Sequence, residues 1–238
     1  MDEWHYDPTP DYDKTPVSRI AEFPRPPHLI FNALRTMANV TVRFVLRVFF
    51  RLTIRGAENL PHGESFVMVA NHSSHLDAPV LLAALPLAQI HRAFPAAAAD
   101  YFFTSLPVTA MSAIVVNAMP FDRKENPKQS IDLCRQLLAT PGHVLVLFPE
   151  GTRTSTGEIA PFKPGIGFLI AGTDIPIVPC HIDGAFRAWR KGRWIPLPRT
   201  LTLTIGAPLR FPDRRPAKDD ALAIAAALRE AVVALRRA

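Results

Sequence analysis

Residues 65–77 read Ser-Phe-Val-Met-Val-Ala-Asn-His-Ser-Ser-His-Leu-Asp. The first seven form a short apolar run behind the turn signal at 61–63, the pattern of a buried strand. The rest place two imidazoles, two hydroxyls and a carboxylate in the stretch where the strand must end. A strand that empties into polar residues is how α/β folds present their sites, at the carboxyl ends of strands.

The remainder of the chain repeats that alternation. Residues 144–148 (VLVLF) are continuously apolar, as expected where both faces of a sheet are covered. Residues 114–121 and 175–180 are further strand candidates, and 201–205, alternating with threonines, reads as a more exposed one. Between them, residues 77–85 predict a helix with Asp77 as a candidate cap and Pro79 tolerated in its first turn. Residues 126–140 carry Ile131, Cys134, Leu137 and Leu138 at helical spacing. A short buried helix is expected at 165–171. An amphipathic one closes the chain at 219–237, acidic at its start and basic at its end. No internal repeat is visible. The expected fold class is α/β: a single domain over 53–238 with a mixed, largely parallel central sheet covered by helices.

Composition bounds what this domain does. Apolar residues at 48% and charged ones at 20% exclude disorder and fibrous repeats. With 24 prolines against 11 glycines, stiff loops are expected rather than flexible linkers. The two cysteines, Cys134 and Cys180, lack a CxxC spacing, so neither a disulfide framework nor a thiolate zinc site is expected. Six acids against three bases leave residues 1–27 at −3. That segment lacks the basic and apolar regions of a signal peptide and reads as an irregular, acidic, Pro-rich leader. With a total of +6, the rest of the chain therefore carries +9, which favours anionic partners.

Residues 28–52 (HLIFNALRTMANVTVRFVLRVFFRL) are the first sustained apolar segment, interrupted by Arg35, Arg43, Arg47 and Arg51. At ~100° per residue the four arginines are expected to stay within about 80° of one another on a helix. Four arginines argue against a membrane span. The segment reads instead as an interfacial amphipathic helix, arginines toward the phosphates of anionic lipid and the apolar face dipped into the bilayer. The alternative is a soluble helix packed on its own domain. Residues 101–121, though uncharged, hold Pro107, Pro120 and several polar residues, and are rejected as a span.

Two clusters carry chemistry. Five positions separate His72 from Asp77, ~140° on one helix, so the two side chains meet only if a turn intervenes and the helix begins near Asp77. A carboxylate folded back in that way fixes the imidazole tautomer and makes His72 a general base. On spacing alone, a plain cap at Asp77 and a structural His72 explain the pattern equally well. The second cluster, Phe148-Pro149-Glu150-Gly151-Thr152-Arg153, again follows an apolar strand. Arginine is the natural bidentate partner for phosphate. Lys163 stands just before the short helix at 165–171, and Arg123 follows the strand candidate at 114–121. In a parallel sheet those strand ends line one rim, so Arg123, Arg153 and Lys163 are expected near His72.

NHSSHLD (71–77), FPEGTR (148–153) and IPIVPC (175–180), in this order, resemble the first, third and fourth blocks of the glycerolipid acyltransferases, the 1-acylglycerol-3-phosphate O-acyltransferase family with its His-x4-Asp motif. The resemblance covers roughly residues 50–210. It implies acyl transfer from a thioester, acyl-CoA or acyl-carrier protein, to the free hydroxyl of a lysophospholipid, most simply 1-acylglycerol-3-phosphate. His72 would deprotonate that hydroxyl and Asp77 would orient His72. Glu150, Gly151, Thr152 and Arg153 would belong to the acceptor-binding block, and Arg123 to the second block, engaging the acceptor's phosphate. Lys163 is an extension of that phosphate set. No metal or redox cofactor is implied, and the expected location is the cytoplasmic face of a membrane, peripheral or monotopic.

The second block departs from the family. Asparagine stands at 117 where the usual pattern begins with glycine, Pro120 lies inside the block, and residues 96–100 (AAAAD) lack a common lysine. A different lipid alcohol or lysolipid therefore stands beside lysophosphatidic acid as acceptor. Two other readings compete: a metal-dependent hydrolase built on His72, His75 and Asp77, and a lipid-binding protein that no longer turns over. Nucleic-acid binding is not expected, because the arginines follow apolar faces instead of forming a basic, aromatic-studded groove.

Overall fold

The computed structural model describes residues 29–98, 116–121, 127–190 and 192–237. The leader, Arg123 and most of residues 101–121 lie outside them.

Seven strands form one sheet in the described residues: β1 Thr53–Arg55, β2 Phe66–Ala70, β3 Ala93–Ala98, β4 Met119–Phe121, β5 Val144–Leu147, β6 Ile177–Asp183 and β7 Thr202–Ile205. Their order is β1-β7-β6-β2-β5-β3-β4, and only the β6–β7 pairing is antiparallel. The sheet is thus mixed and largely parallel. β2 lies between β5 and β6, with Phe66 opposite Val144 and Ala70 opposite Cys180. Because all three run parallel, the residues after β2 and after β5 leave the sheet side by side. That adjacency positions the site.

Strand periodicity builds two cores. Phe66, Met68 and Ala70 of β2 point into a cluster with Leu46, Val80, Leu81 and Leu203, whereas Val67 and Val69 join Leu145, Leu169, Ile224 and Leu228 on the opposite face. The first face is covered by α1 (Leu29–Val48) and α2 (Asp77–Ala84); the second by α3 (Pro127–Leu138), α4 (Gly165–Ile170) and α6 (Lys218–Ala234). A Cβ on Gly167 would stand 2.3 Å from the Ala221 carbonyl oxygen, so only glycine lets α4 lie this close to α6. A short α5 (Ala185–Trp189) follows β6.

Sequence patterning did not indicate β1, β3 or α5. In β3 the sequence Ala-Phe-Pro-Ala-Ala-Ala has poor strand propensity, and its pairing with β5 overrides it.

Helix α1 corrects one expectation. The small angular steps between its arginines accumulate to about 160° from Arg35 to Arg51, so the four do not share a face. Arg35 is buried, and Arg43 turns inward, its Nη2 donating to the carbonyls of Leu82 (3.0 Å) and Leu85 (2.5 Å) at the end of α2. A cation there satisfies the last orphan carbonyls and complements the helix dipole. Burial lowers the Arg35 pKa to about 10. Arg47 and Arg51 remain exposed. The opposite stripe of α1 (Ile30, Leu34, Met37, Val40, Phe44, Val48) is apolar and exposed. By length and composition α1 meets the requirement for a membrane-crossing helix, yet its inward stripe is packed on α2 and the Leu87–Arg92 turn.

Candidate active site

β2 ends at Ala70, and Asn71 immediately ties that end to β6. Its Nδ2 donates to the Ile182 carbonyl (3.0 Å) and its Oδ1 accepts from the Ile182 N–H (2.8 Å). The chain then turns through 72–76, and α2 begins at Asp77. Asp77 caps no N–H of its own helix; Leu76 holds the cap position without a side-chain bond. Its carboxylate folds back over the turn instead. Oδ2 accepts from His72 Nδ1 (2.9 Å), from the Ser73 N–H (2.6 Å) and from the Ser74 N–H (2.8 Å). The capping alternative is thereby set aside in favour of the orienting geometry.

Asp77 is fully buried, while the His72 side chain keeps 22% of its surface open. A carboxylate only accepts, so His72 Nδ1 donates and the neutral ring presents an unprotonated Nε2. The ring stacks on Phe148, with centroids 4.2 Å apart and planes 18° from parallel. A buried acid thus fixes the tautomer, and an aromatic face fixes the ring's tilt.

The turn after β5 completes the arrangement. Glu150 is buried, and both of its oxygens are taken by backbone N–H groups: Oε1 by His72 (2.6 Å), Oε2 by Ala160 (3.0 Å). The Thr154 N–H donates to the His72 carbonyl (2.9 Å). The backbone of His72 is therefore gripped at both its N–H and its carbonyl by residues 150–154. Burial pushes the Glu150 carboxyl pKa up, and the two N–H donors pull against that shift. Both Glu150 oxygens face the protein, where they hold the backbone of His72 and Ala160.

Gly151 is at φ 74°, and a Cβ there would stand 2.7 Å from Lys163 Nζ. Glycine supplies both the left-handed turn and the space over which Lys163 crosses. Thr152 is exposed at the apex of the turn. Arg153 Nη1 lies 2.7 Å from His75 Nδ1 and 2.5 Å from its Nε2, and the His75 ring leans on Trp189. A guanidinium only donates, so His75 is the acceptor and neutral; burial first, then the charge of Arg153 and of His72, lowers its pKa to about 4. His75 is thus committed to Arg153, which leaves the metal-hydrolase reading without its second imidazole beside Asp77. Among the described residues no group of three or more His, Cys, Asp and Glu side chains is placed to hold a metal ion.

His72, Asp77, Glu150, Gly151, Arg153 and Lys163 thus converge on the rim formed where β2 and β5 end, and Arg123 lies outside the described residues. Sequence reasoning passed over three contributors. Phe148 was seen as a strand residue, not as the surface on which His72 stacks. Asn71 carried a signal, an amide at the end of an apolar strand. Trp189, more than a hundred positions away, carried none.

Such a site defines a class: an α/β protein with a carboxylate-oriented imidazole at a strand end, and cations beside it. A family model described as Acyltransferase matches residues 51–183, more than half of the chain. The chain belongs to that acyltransferase family. A Brassica napus relative, the chloroplastic 1-acyl-sn-glycerol-3-phosphate acyltransferase BAT2, is 30% identical over 147 residues, covering 60% of this chain and 40% of its own. A 1-acyl-sn-glycerol-3-phosphate acyltransferase of Cocos nucifera is 27% identical over 165 residues (68% and 51%). The Homo sapiens alpha enzyme of that name is 30% identical over 131 residues (54% and 44%). This chain spans about half the length of these relatives. The crystal structure of the 1-acyl-sn-glycerophosphate (LPA) acyltransferase PlsC from Thermotoga maritima shares the fold, with a TM-score of 0.62 at 20% identity, covering 87% of this chain and 96% of that one.

Proposed function

We propose that the protein transfers a fatty acyl group from a thioester, acyl-CoA or acyl-carrier protein, to the free hydroxyl of lysophosphatidic acid, giving phosphatidic acid. The observation that carries this reading is the 2.9 Å contact between His72 Nδ1 and a fully buried Asp77. His72 Nε2 takes the proton of the acceptor hydroxyl as its oxygen attacks the thioester carbonyl. The tetrahedral intermediate collapses, the ester forms, and the C–S bond breaks. The imidazolium, stabilised by Asp77, returns the proton to the departing thiolate. The thioester is a co-substrate, and the steps as written use no metal or redox group. Arg153, oriented by His75, with Lys163 and Arg123, would bind the acceptor's phosphate.

A membrane surface with anionic lipid is the expected setting, on its cytoplasmic face. The exposed apolar stripe of α1 supports this reading, free to enter the bilayer as the sequence led one to expect, although Arg35 and Arg43 are turned to the protein body and only Arg47 and Arg51 face outward.

His72→Ala should lower thiol release in the presence of lysophosphatidic acid by about 10²–10⁴-fold while leaving the melting temperature nearly unchanged. Near-normal turnover would remove the general-base role. Arg153→Ala should raise KM for lysophosphatidic acid about 10–100-fold and change use of monoacylglycerol little. An equal loss on both acceptors would remove its phosphate role.

A further inference from the structure

A second exposed apolar feature lies far from α1 in sequence. Residues 190–199 read Arg-Lys-Gly-Arg-Trp-Ile-Pro-Leu-Pro-Arg, with four cationic residues and no acid. Trp194 is 95% exposed and Ile195 73%.

Arg190 and residues 192–199 are fastened rather than loose. Trp189 Nε1 donates to the Arg193 carbonyl (2.9 Å), the Arg193 N–H donates to the Arg190 carbonyl (3.2 Å), and the Leu197 N–H donates to the Ala188 carbonyl (2.9 Å). Pro196 and Pro198 stiffen what lies between. The protein therefore holds an exposed tryptophan outward on an ordered loop, where collapse onto the body would bury it. Trp189, at the loop's root, touches His75, and the Ser74 side chain donates to its carbonyl (2.8 Å). At the other end the Leu201 N–H donates to the Phe50 carbonyl (3.0 Å), just beyond α1. The loop thus adjoins both the active-site turn and the end of the apolar helix.

We infer that residues 190–199 are a second membrane-seating element, Trp194 and Ile195 entering the interface of an anionic bilayer and Arg190 and Arg199 meeting its phosphates. An exposed indole beside an aliphatic residue, flanked by arginines, matches the chemistry of a lipid–water boundary, where aromatic rings sit at headgroup depth and each cation near the surface adds attraction. An acidic protein partner would satisfy the arginines but leave the apolar tip unexplained. The inference rests on the membrane setting proposed above. It adds that the active-site turn is held to the bilayer by its own loop, so a lipid acceptor reaches His72 from the surface.

Both native thiols, Cys134 and Cys180, are buried, so Ile195→Cys accepts an environment-sensitive fluorophore selectively. On full-length protein its emission should shift to the blue with vesicles containing phosphatidylglycerol, and much less with pure phosphatidylcholine. Trp194→Ala with Ile195→Ala should weaken partitioning about ten-fold while turnover of a short-chain, water-soluble acceptor is retained. Three results would overturn the inference. One is an unchanged spectrum and affinity while Met37→Asp with Phe44→Asp in α1 abolishes vesicle binding; the membrane reading then survives alone. Another is a shift produced by acidic acyl-carrier protein and not by vesicles. The third is a protein that ignores vesicles altogether, which removes the membrane reading as well.

Discussion

The junction of His72, Asp77 and Glu150 and the helix α1 are both places where a polar group enters an apolar setting, and they resolve it oppositely. At the junction the acids are met at close range: Asp77 Oδ2 takes three donors while its Oδ1 is buried without a partner, and both Glu150 oxygens take N–H groups. In α1 the arginines have no such mutual arrangement. One reaches the carbonyls of α2, and the apolar stripe is left outside. The difference teaches what kind of information a sequence holds. A short motif between two buried strand ends fixes its own geometry, because few turns let six residues bring three donors to one carboxylate oxygen. A helix pattern declares two faces without saying which one the protein keeps.

Among variants that leave His72 in place, the largest effect should come from breaking the junction at Glu150. Glu150→Ala leaves two partly buried N–H groups without acceptors, a loss of up to about 6 kcal/mol at roughly 1–3 per group. It also frees the backbone of His72. A catalytic group misplaced by about 1 Å loses on the order of 10² in rate, so kcat should fall about a hundred-fold while KM for the phosphorylated acceptor holds. Glu150→Gln keeps one acceptor oxygen and should recover part of both. A raised KM with unchanged kcat, measured by steady-state kinetics, would return Glu150 to the acceptor site and blur the contrast with α1.

A smaller effect tests the helix. Arg43→Met should lower stability by about 1.5–3 kcal/mol, the range for hydrogen bonds to a charged group, without weakening vesicle binding. Arg47→Gln, on the exposed side, should leave stability within about 0.5 kcal/mol and weaken binding to anionic vesicles. Denaturant melts and vesicle sedimentation of the two variants separate the inward arginine from the outward one. If Arg43→Met instead lost vesicle binding at unchanged stability, the sequence expectation of a lipid-facing arginine would be restored.

That contrast also marks how much was legible beforehand. The parallel strands at 65–71 and 144–148 were plain, because a strand buried on both faces is apolar throughout, and the site followed from where those strands end. Pro95 and its neighbouring alanines hid β3, which exists through its pairing with β5. The inward turn of Arg43 depends on where α2 ends, forty residues on, and no local periodicity records that. The pairing of His75 with Arg153 was hidden for a related reason: it joins two motifs across adjacent strands, and each motif alone looks complete.

Asn117 gives the finest test, since it sits beneath α1 and departs from the family's glycine. It takes φ 56°, the left-handed region glycine would occupy, and its Nδ2 donates to the carbonyls of Ala93 (3.1 Å) and His91 (3.3 Å). His91 in turn meets Thr36 of α1 through Nε2 (3.1 Å). Asparagine therefore accepts a backbone that most residues resist, and it adds a tie toward the helix. Asn117→Gly keeps the backbone and loses the tie, about 1 kcal/mol. Asn117→Ala keeps a Cβ in the left-handed region but loses the side-chain bonds that offset it, which places it about 1–2 kcal/mol below the glycine variant. Chemical denaturation should rank wild type above glycine and glycine above alanine. An alanine variant as stable as the glycine one would mean that the turn relaxes out of the left-handed region, and that asparagine is kept at this position for its side chain alone.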